Sequence, residues 1–326
     1  MKKNIALVAG GYSSEYVVSL KSAESVYQWL DHDQFDIYRV ILTRESWTAE
    51  TPEGQYPVNL SDFSVNTGKK TIRFDFAYII IHGTPGEDGK LQGYFDMLGI
   101  PYSTCGVLSA SLTFNKFFTK TYLEPFGVLS AACRLVKMGE QVDPASVIDE
   151  LGLPCFVKPN NGGSSFGVSK ITSLEEMDEA LQKAGKEDEE IIIESFLQGT
   201  ELTCGLVRIG RKIIVFPVTE VVPKNEFFDY EAKYVKGMAD EITPARIPAD
   251  VSKACQDLSA MIYDKLNCRG IVRVDYILSS GKLYMLEVNT IPGMTATSFI
   301  PQQIKAMGWK VEEVLNKLVN SILEMK

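Results

Sequence analysis

Gly270-Ile-Val-Arg273-Val-Asp275-Tyr-Ile-Leu278 and Leu283-Tyr-Met-Leu-Glu287-Val-Asn289 are the two runs whose reading decides the fold. Each is rich in β-branched, aliphatic and aromatic residues, and its polar members stand two apart, which puts them on one face of a strand. Ser279-Ser280-Gly281 between them reads as a three-residue hairpin loop with Gly at the left-handed position. That register sets Leu278 opposite Lys282, Asp275 opposite Met285 and Arg273 opposite Glu287. Arg273, Asp275, Glu287 and Asn289 then share one face; a two-residue loop would reverse the parity and split them. Two carboxylates, an amide oxygen and a guanidinium on one sheet face suit Mg²⁺ carrying nucleotide phosphates. The competing reading is a solvated face with an Arg273–Glu287 cross-strand ion pair. Against it, Asp and Asn are poor strand formers, and Asn289 runs directly into Thr290-Ile-Pro-Gly293-Met294, a turn with exposed backbone donors.

Upstream, Leu153-Pro-Cys-Phe-Val-Lys158-Pro159 reads as a strand closed by the polar glycine loop Asn160-Asn-Gly-Gly-Ser164-Ser165-Phe-Gly167. Such a loop lets backbone N–H groups approach phosphate oxygens closely, although alone it is more often a flexible turn. It lacks the Gly-Lys-Ser/Thr ending of a P-loop. Leu174–Ala184 has helical spacing and Glu190–Phe196 reads as a strand, giving a small middle block. Before it, Ile5–Ala9, Asp36–Leu42 and Phe76–Ile81 are apolar runs of buried-strand type, with a helical stripe Tyr16, Leu20, Ala23, Tyr27, Leu30 between the first two. Asp88–Leu98 and Ser109–Phe126 read as helices and Gly99–Tyr102 starts a further strand. Alternating strands and helices imply a parallel sheet whose ligand sites lie beyond the strands' carboxyl ends, where Gly10-Gly11 and His82-Gly83 fall. Leu202–Ile209 and Lys212–Val221 read as strands, Pro223–Ala245 as a long unpatterned loop of the functional kind. Stripes from Val251 to Leu266 and from Val311 to Leu323 are helical. The expected fold class is α/β with α+β parts, in three domains: 1–115, 116–198 and 199–326.

Composition sets the limits. The 326 residues carry 33 Lys plus Arg against 42 Asp plus Glu, a formal charge of −9, with 45% hydrophobic residues. A chain this acidic without like-charge blocks is a poor partner for nucleic acid or anionic membrane. No apolar run approaches the ~18 residues of a membrane span, and Ile5–Ala9 is too short for a signal-peptide core. Cys105, Cys133, Cys155, Cys204, Cys255 and Cys268 form no Cys-x-x-Cys, which disfavours zinc and a disulfide framework. Cytoplasmic residence is expected.

Single residues are weaker signals. Glu15 could merely favour the dipole of the helix it opens, His82 could be structural, Lys116 a solvated helix lysine, and Tyr230-Glu-Ala-Lys233-Tyr234 a surface loop. Taken in order, however, the motifs converge. Gly10-Gly11-Tyr-Ser13-Ser14-Glu15, His82-Gly83-x-x-Gly86-Glu87-Asp88-Gly89 and Lys158-Pro-x-x-x-Gly163-Ser164-Ser165 are followed by Tyr230-Glu-Ala-Lys233-Tyr234, Arg273-Val-Asp275 and Glu287-Val-Asn289-Thr-x-Pro-Gly293-Met-Thr. Together they resemble the D-alanine–D-alanine ligases of the ATP-grasp superfamily, from residue 4 to about residue 300.

The resemblance implies an ATP-grasp architecture with nucleotide bound between the central and C-terminal domains. It also implies ATP-driven joining of two D-alanines through an acyl phosphate, for peptidoglycan precursors of the cell wall. Carried over by position, Lys116, Lys158, Ser164 and Ser165 would hold ATP phosphates, and Glu194, Phe196, Leu197 and Glu201 would line the adenine and ribose pocket. Asp275, Glu287 and Asn289 would bind two Mg²⁺, with Mn²⁺ an acceptable substitute. Glu15 would take the first substrate's ammonium, hydrogen-bonded with Ser164 and Tyr234. Arg273 and the Gly293 N–H would stabilise the oxyanion, Ser298 and Lys233 would engage the second carboxylate, and His82 would lie near the acyl group. ATP, one substrate carboxylate, Asp275 and Glu287 outweigh Lys116, Lys158, Lys233 and Arg273 by about three charges, which two Mg²⁺ would reverse. Tyr234 favours a dipeptide over a depsipeptide product, and Tyr16 stands where the family more often has a polar residue. A homodimer is also implied. The alternatives are an ATP-grasp ligase for another amino acid or a D-hydroxy acid, and a non-catalytic nucleotide-binding module. The latter would not need Arg273, Lys233 and Tyr234.

Overall fold

A computed structural model describes residues 2–163, 166–223 and 239–325. Its first sheet starts from β1 (Lys3–Gly10), whose residues Ile5–Ala9 are wholly buried, and α1 (Tyr16–Trp29) packs on it. β2 (Phe35–Leu42) lies parallel to β1, and β3 (Trp47–Thr51), β4 (Gly54–Asn59), β5 (Ser64–Asn66) and β6 (Thr71–Ile72) continue outward as an antiparallel meander. β7 (Phe76–Ile79) pairs parallel with the other side of β1. The sheet order is β6-β5-β4-β3-β2-β1-β7. The expected parallel sheet is therefore parallel only across three strands. β3 to β6 follow one another through short turns such as Pro52-Glu53, and turns that short join only antiparallel neighbours.

α2 (Lys90–Leu98) follows, and Tyr102 contributes a single parallel bridge to Ala77 instead of a strand. The expected helix over 109–126 is two helices, α3 (Val107–Phe114) and α4 (Lys116–Leu123). Asn115 breaks it: its backbone is extended (φ −93°, ψ 106°) and its side chain accepts the Phe118 N–H, an N-cap.

The middle block is an antiparallel sheet. It comprises β8 (Cys133–Lys137), β9 (Cys155–Pro159), β10 (Ser169–Ile171) and β11 (Glu190–Ser195), in the order β10-β9-β11-β8, with α5 (Pro144–Leu151) and α6 (Met177–Gly185). Val147, Met177, Ala180 and Ala184 close its own core.

The last sheet is built on β12 (Thr200–Ile209). The expected strand 212–221 is two, β13 (Lys212–Val215) and β14 (Thr219–Pro223), both paired with β12. β15 (Ala239–Ile242), α7 (Ala249–Lys265), β16 (Ile271–Ser279), β17 (Lys282–Asn289), α8 (Phe299–Ala306) and α9 (Val311–Glu324) complete the described chain. α8 and α9 bury Ile300, Ile304, Val314, Leu315 and Leu318 in the same core as Ile5–Ala9, so the first and last sheets are packed as one unit. Among the described residues no helix is long and apolar enough to cross a membrane.

The β16–β17 hairpin differs from its expected register in two ways that cancel. Its loop is two residues, Ser280 (φ 48°) and Gly281 (φ 76°), and Ser279 pairs with Lys282. Positive φ at both loop positions is the turn whose twist matches the strands. That alone would split the polar set between faces. A bulge then inserts Leu286: Tyr276 pairs with Met285, but Asp275 pairs with Glu287 and Arg273 with Asn289. The extra residue restores the parity. A Cβ at Gly281 would meet nothing within 4 Å, so Gly281→Ala costs only the backbone term, about 1 kcal/mol. Urea unfolding with Trp and Tyr fluorescence checks this, and activity is expected to stay unchanged.

Candidate active site

One cleft of about 1240 Å³ is lined by strands of the second and third sheets and by the loops that follow β1, β2 and β7 of the first. From the middle block, Lys158 on β9 and Glu194 on β11 stand close across the antiparallel pair, with Ile192 opposite Lys158. Lys158 Nζ lies 2.6 Å from Glu194, and Lys120 Nζ, from α4, bonds the carboxylate's other oxygen. Burial by itself would raise the Glu194 pKa; the ammoniums of Lys120 and Lys158 more than reverse this and hold it at about 2.

The Asn115 break directs α4 at the glycine loop. The Lys116 N–H donates to the Asn160 carbonyl (3.1 Å), the Phe117 N–H to Asn160 Oδ1 (2.9 Å) and Lys116 Nζ to the Gly162 carbonyl (2.5 Å). Glu190 accepts from the amides of Asn115 (3.1 Å) and Asn160 (2.8 Å), tying the root of the loop to the same cap. Lys116 also lies 3.9 Å from Glu287.

On the hairpin, the Arg273 guanidinium grips Asp275 with two bonds of 2.8 and 2.7 Å, along one strand. The cross-strand Arg273–Glu287 pair of the solvated-face reading is thus not the one formed. Thr203 Oγ1 donates to Asp275 (2.6 Å), and Asn289 Nδ2 donates to Asp275 (3.1 Å) and Glu287 (3.4 Å). Arg273 is braced from below by the Phe299 ring, 5.3 Å away. The bulged Leu286 lines the cleft beside Glu287, adding apolar floor to that of Phe156, Phe196 and Leu197.

From the first sheet, Glu15 sits at the N-cap of α1 but makes no side-chain cap bond; its carboxyl is turned inward and buried. Glycine at 83 and 163 permits this, since a Cβ at either would stand 3.2 to 3.4 Å from a Glu15 oxygen. The cleft thus brings together Glu15, Lys116, Lys158, Glu194, Phe196, Leu197, Glu201, Arg273, Asp275 and Glu287. Among the described residues His82, Asn289, Gly293 and Ser298 do not line it. His82 bonds protein at both ring nitrogens, and Ser298 Oγ accepts the Thr295 N–H (3.0 Å). Ser164, Ser165, Lys233 and Tyr234 lie outside the described residues.

The cleft thus sets an acid from the first part of the chain against lysines of the second and an acid–guanidinium hairpin of the third, and comparison with known proteins supplies the family. The family models described as D-ala D-ala ligase N-terminus and D-ala D-ala ligase C-terminus match residues 4–105 and 126–320. The chain belongs to the D-Ala–D-Ala ligase family. It is 55% identical over 323 residues to a D-alanine–D-alanine ligase of Azobacteroides pseudotrichonymphae, covering 98% of this chain and 100% of the relative. The Bacteroides fragilis D-alanine–D-alanine ligase is 52% identical, covering 98% and 99%. Among solved structures, the VanG D-Ala:D-Ser ligase of Enterococcus faecalis superposes with a TM-score of 0.88 at 33% identity, over 99% of this chain and 100% of that one. The Bacillus anthracis D-alanine–D-alanine ligase complexed with ATP has a TM-score of 0.80 at 28% identity, over 99% and 98%.

Two buried residues that brace this ligase-family cleft from behind, through Glu194 and through the turn after β17, escaped the sequence reading. Lys120 carried a signal, its spacing of one helical turn from Lys116 on α4. Glu87 stands inside the His82–Gly89 motif without an assigned part. It is buried, and desolvation first, then the charge of Glu15, raise its pKa to about 8 against the N–H donors of Gly83 and Ile291.

Proposed function

We propose that the protein joins two D-alanine molecules to D-alanyl-D-alanine at the cost of ATP, for peptidoglycan precursors, as a cytoplasmic homodimer. The observation that carries this reading is the single cleft onto which Glu15, Lys116, Lys158, Arg273, Asp275 and Glu287 all open. Lys116 and Lys158 neutralise the phosphates of ATP, whose base lies against Phe156, Phe196, Leu197 and Leu286 and whose ribose hydroxyls meet Glu201. Ser164 and Ser165 add donors from the glycine loop. The carboxylates of Asp275 and Glu287, which both open on the cleft, fit Mg²⁺, with phosphate and water oxygens to complete the shell; Asn289, whose Nδ2 donates to both carboxylates, would add its Oδ1 on turning its amide over. Among the described residues no cluster of three His, Cys, Asp or Glu offers an all-protein cage. Bound there, two Mg²⁺ supply neutralisation of the phosphate charge. Glu15, with Ser164 and Tyr234, holds the first D-alanine by its ammonium.

The first carboxylate takes the γ-phosphoryl group and ADP leaves; the second substrate, its ammonium proton already released to solvent, attacks the acyl phosphate as the free amine. Arg273 and the Gly293 N–H stabilise the oxyanion, while Lys233 and Ser298 hold the second carboxylate. Expulsion of phosphate leaves the amide. Water must be kept out throughout, since it would hydrolyse the acyl phosphate.

Phosphate release from ATP with Mg²⁺ tests the reading. D-Alanine is expected to stimulate it by at least tenfold over L-alanine. The absence of stimulation overturns the proposal. The likeness to a D-Ala:D-Ser ligase favours one second reading, a D-serine nucleophile, and mass analysis of products from mixed D-alanine and D-serine decides between them.

A further inference from the structure

The turn between β17 and α8 leaves the hairpin at Asn289 and carries Thr290, Ile291, Pro292, Gly293 and Met294. Its buried backbone atoms find partners on the first sheet's side of the molecule. The Ile291 N–H donates to Glu87 Oε1 (3.3 Å), and the other oxygen of that carboxyl accepts the Gly83 N–H (2.8 Å). The Ile291 carbonyl lies 2.9 Å from His82 Nδ1. A carbonyl only accepts, so Nδ1 carries the proton. Burial, the largest influence on His82, favours that neutral ring. His82 Nε2 is then an acceptor for the Ser22 hydroxyl (3.3 Å), and Ser22 Oγ in turn accepts the Met294 N–H (3.3 Å). Ile291 and Met294, on either side of Gly293, are therefore both held by side chains from α1 and the β7–α2 loop, which pack with the first sheet.

All three gripping side chains are buried: Ser22 completely, His82 to 5% and Glu87 to 9% residual exposure. A carboxyl in such a place is costly, and burial and Glu15 both oppose its ionisation. Its two oxygens lie on two amides of different elements, and those donors work against burial to favour the ionised form, in which both oxygens accept. Glu87 and His82 spend their polar atoms on the Gly83 N–H, the Ile291 peptide and Ser22, so what their placement offers is a hold on backbone.

We infer that Glu87, with His82 and Ser22, is a positioning residue for ligation: it locks the Ile291 peptide, and through it aims the Gly293 N–H at the oxyanion that forms over the substrate held by Glu15. The inference rests on the ligase reading given above. The oxyanion donor comes from the last sheet and the substrate's ammonium partner from the first. Their separation must be held to about 0.5 Å for the donor to act, and the Glu87–Ile291 and His82–Ile291 bonds are links that set it.

The test uses the full chain, with D-alanine and ATP. Glu87→Gln keeps the volume but presents an NH₂ to one of the two N–H groups, and kcat is expected to fall about 10- to 100-fold with KM for ATP within about twofold. Ser22→Ala, a small change in a helix, is expected to lower kcat by about threefold or more. His82→Asn can place its Nδ2–H where Nδ1–H stands and should retain most of the rate, whereas His82→Ala should not. A phosphinate analogue of the dipeptide, tetrahedral at phosphorus, should lose affinity in step with kcat while ADP binding is unchanged.

If Glu87→Gln fails to fold, Ser22→Ala and the His82 pair decide. Rates within twofold of the unsubstituted chain in these variants overturn the inference. So does an equal loss in His82→Asn and His82→Ala together with loss of a limb of the kcat–pH profile, which would make His82 a proton carrier. An unsubstituted chain without D-alanine-dependent phosphate release ends the ligase reading and this inference with it, whereas active variants end this inference alone.

Discussion

Replacing Arg273 by alanine lowers kcat by about 10²- to 10³-fold while ATP affinity stays within a few-fold, the size of effect found when one oxyanion donor is removed. The guanidinium is already aimed. It is held by two bonds to Asp275, which Thr203 and Asn289 hold in turn, and it rests against Phe299. Little reorganisation is left to be done when charge develops, and that is the condition under which such a donor acts most strongly. Arg273→Lys separates charge from geometry: a lysine restores the cation but not the two-pronged contact with Asp275, so only a part of the lost rate returns. Steady-state kinetics with saturating D-alanine, beside calorimetric titration with ATP, make the measurement. A kcat within threefold of the unsubstituted chain would remove Arg273 from the reaction. A loss confined to KM for ATP would assign it to nucleotide binding.

Arg273, Asp275, Glu287 and Asn289 were legible in the sequence because strand periodicity is short-ranged: residues two apart share a face whatever else the chain does. The loop that joins their strands was not. Ser280 adopts positive φ, which a reading that reserves such conformations for glycine passes over, and nothing in Leu283–Asn289 marks Leu286 as a bulge. The face assignment survived because the two errors compensate in parity. The meander β3–β6 was missed for another reason. Its strands are two to six residues long and only partly buried, so no alternation develops. The α3–α4 break at Asn115 is a capping event inside an otherwise helical pattern, and its purpose is visible only beside Asn160. Local pattern sets Lys120 one turn from Lys116 but reaches neither its partner nor that of Glu87. Their partners, Glu194 and Ile291, lie 74 and 204 residues away, and a buried lysine or glutamate looks like any other until the second element arrives.

Glu194→Gln is expected to destabilise the protein by about 3–5 kcal/mol at pH 7, the range for removing one partner of a buried ion pair. The side chains of Lys120 and Lys158 are 4% and 15% exposed, and Glu194 is the carboxylate that stands between them. A neutral amide leaves two ammoniums facing each other with little water to screen them. The same geometry sets a pH signature. In the folded chain Glu194 ionises near pH 2, against its ordinary value of 4.5. A depressed acid contributes stability that is complete above its unfolded value and disappears as pH falls through its folded one. The contribution is about 3 kcal/mol at neutral pH and about 1 kcal/mol at pH 3. Urea unfolding of both proteins at pH 7, 5, 4 and 3 is therefore expected to give a difference that is constant down to pH 5 and then narrows. A gap that stays constant to pH 3 would mean the cost is one of shape, with charge playing no part. Adding Lys120→Met to Glu194→Gln removes one of the opposed cations and fills its place with apolar volume, so part of the stability returns. KM for ATP does not, because Lys158 still lacks the carboxylate that orients it towards the cleft.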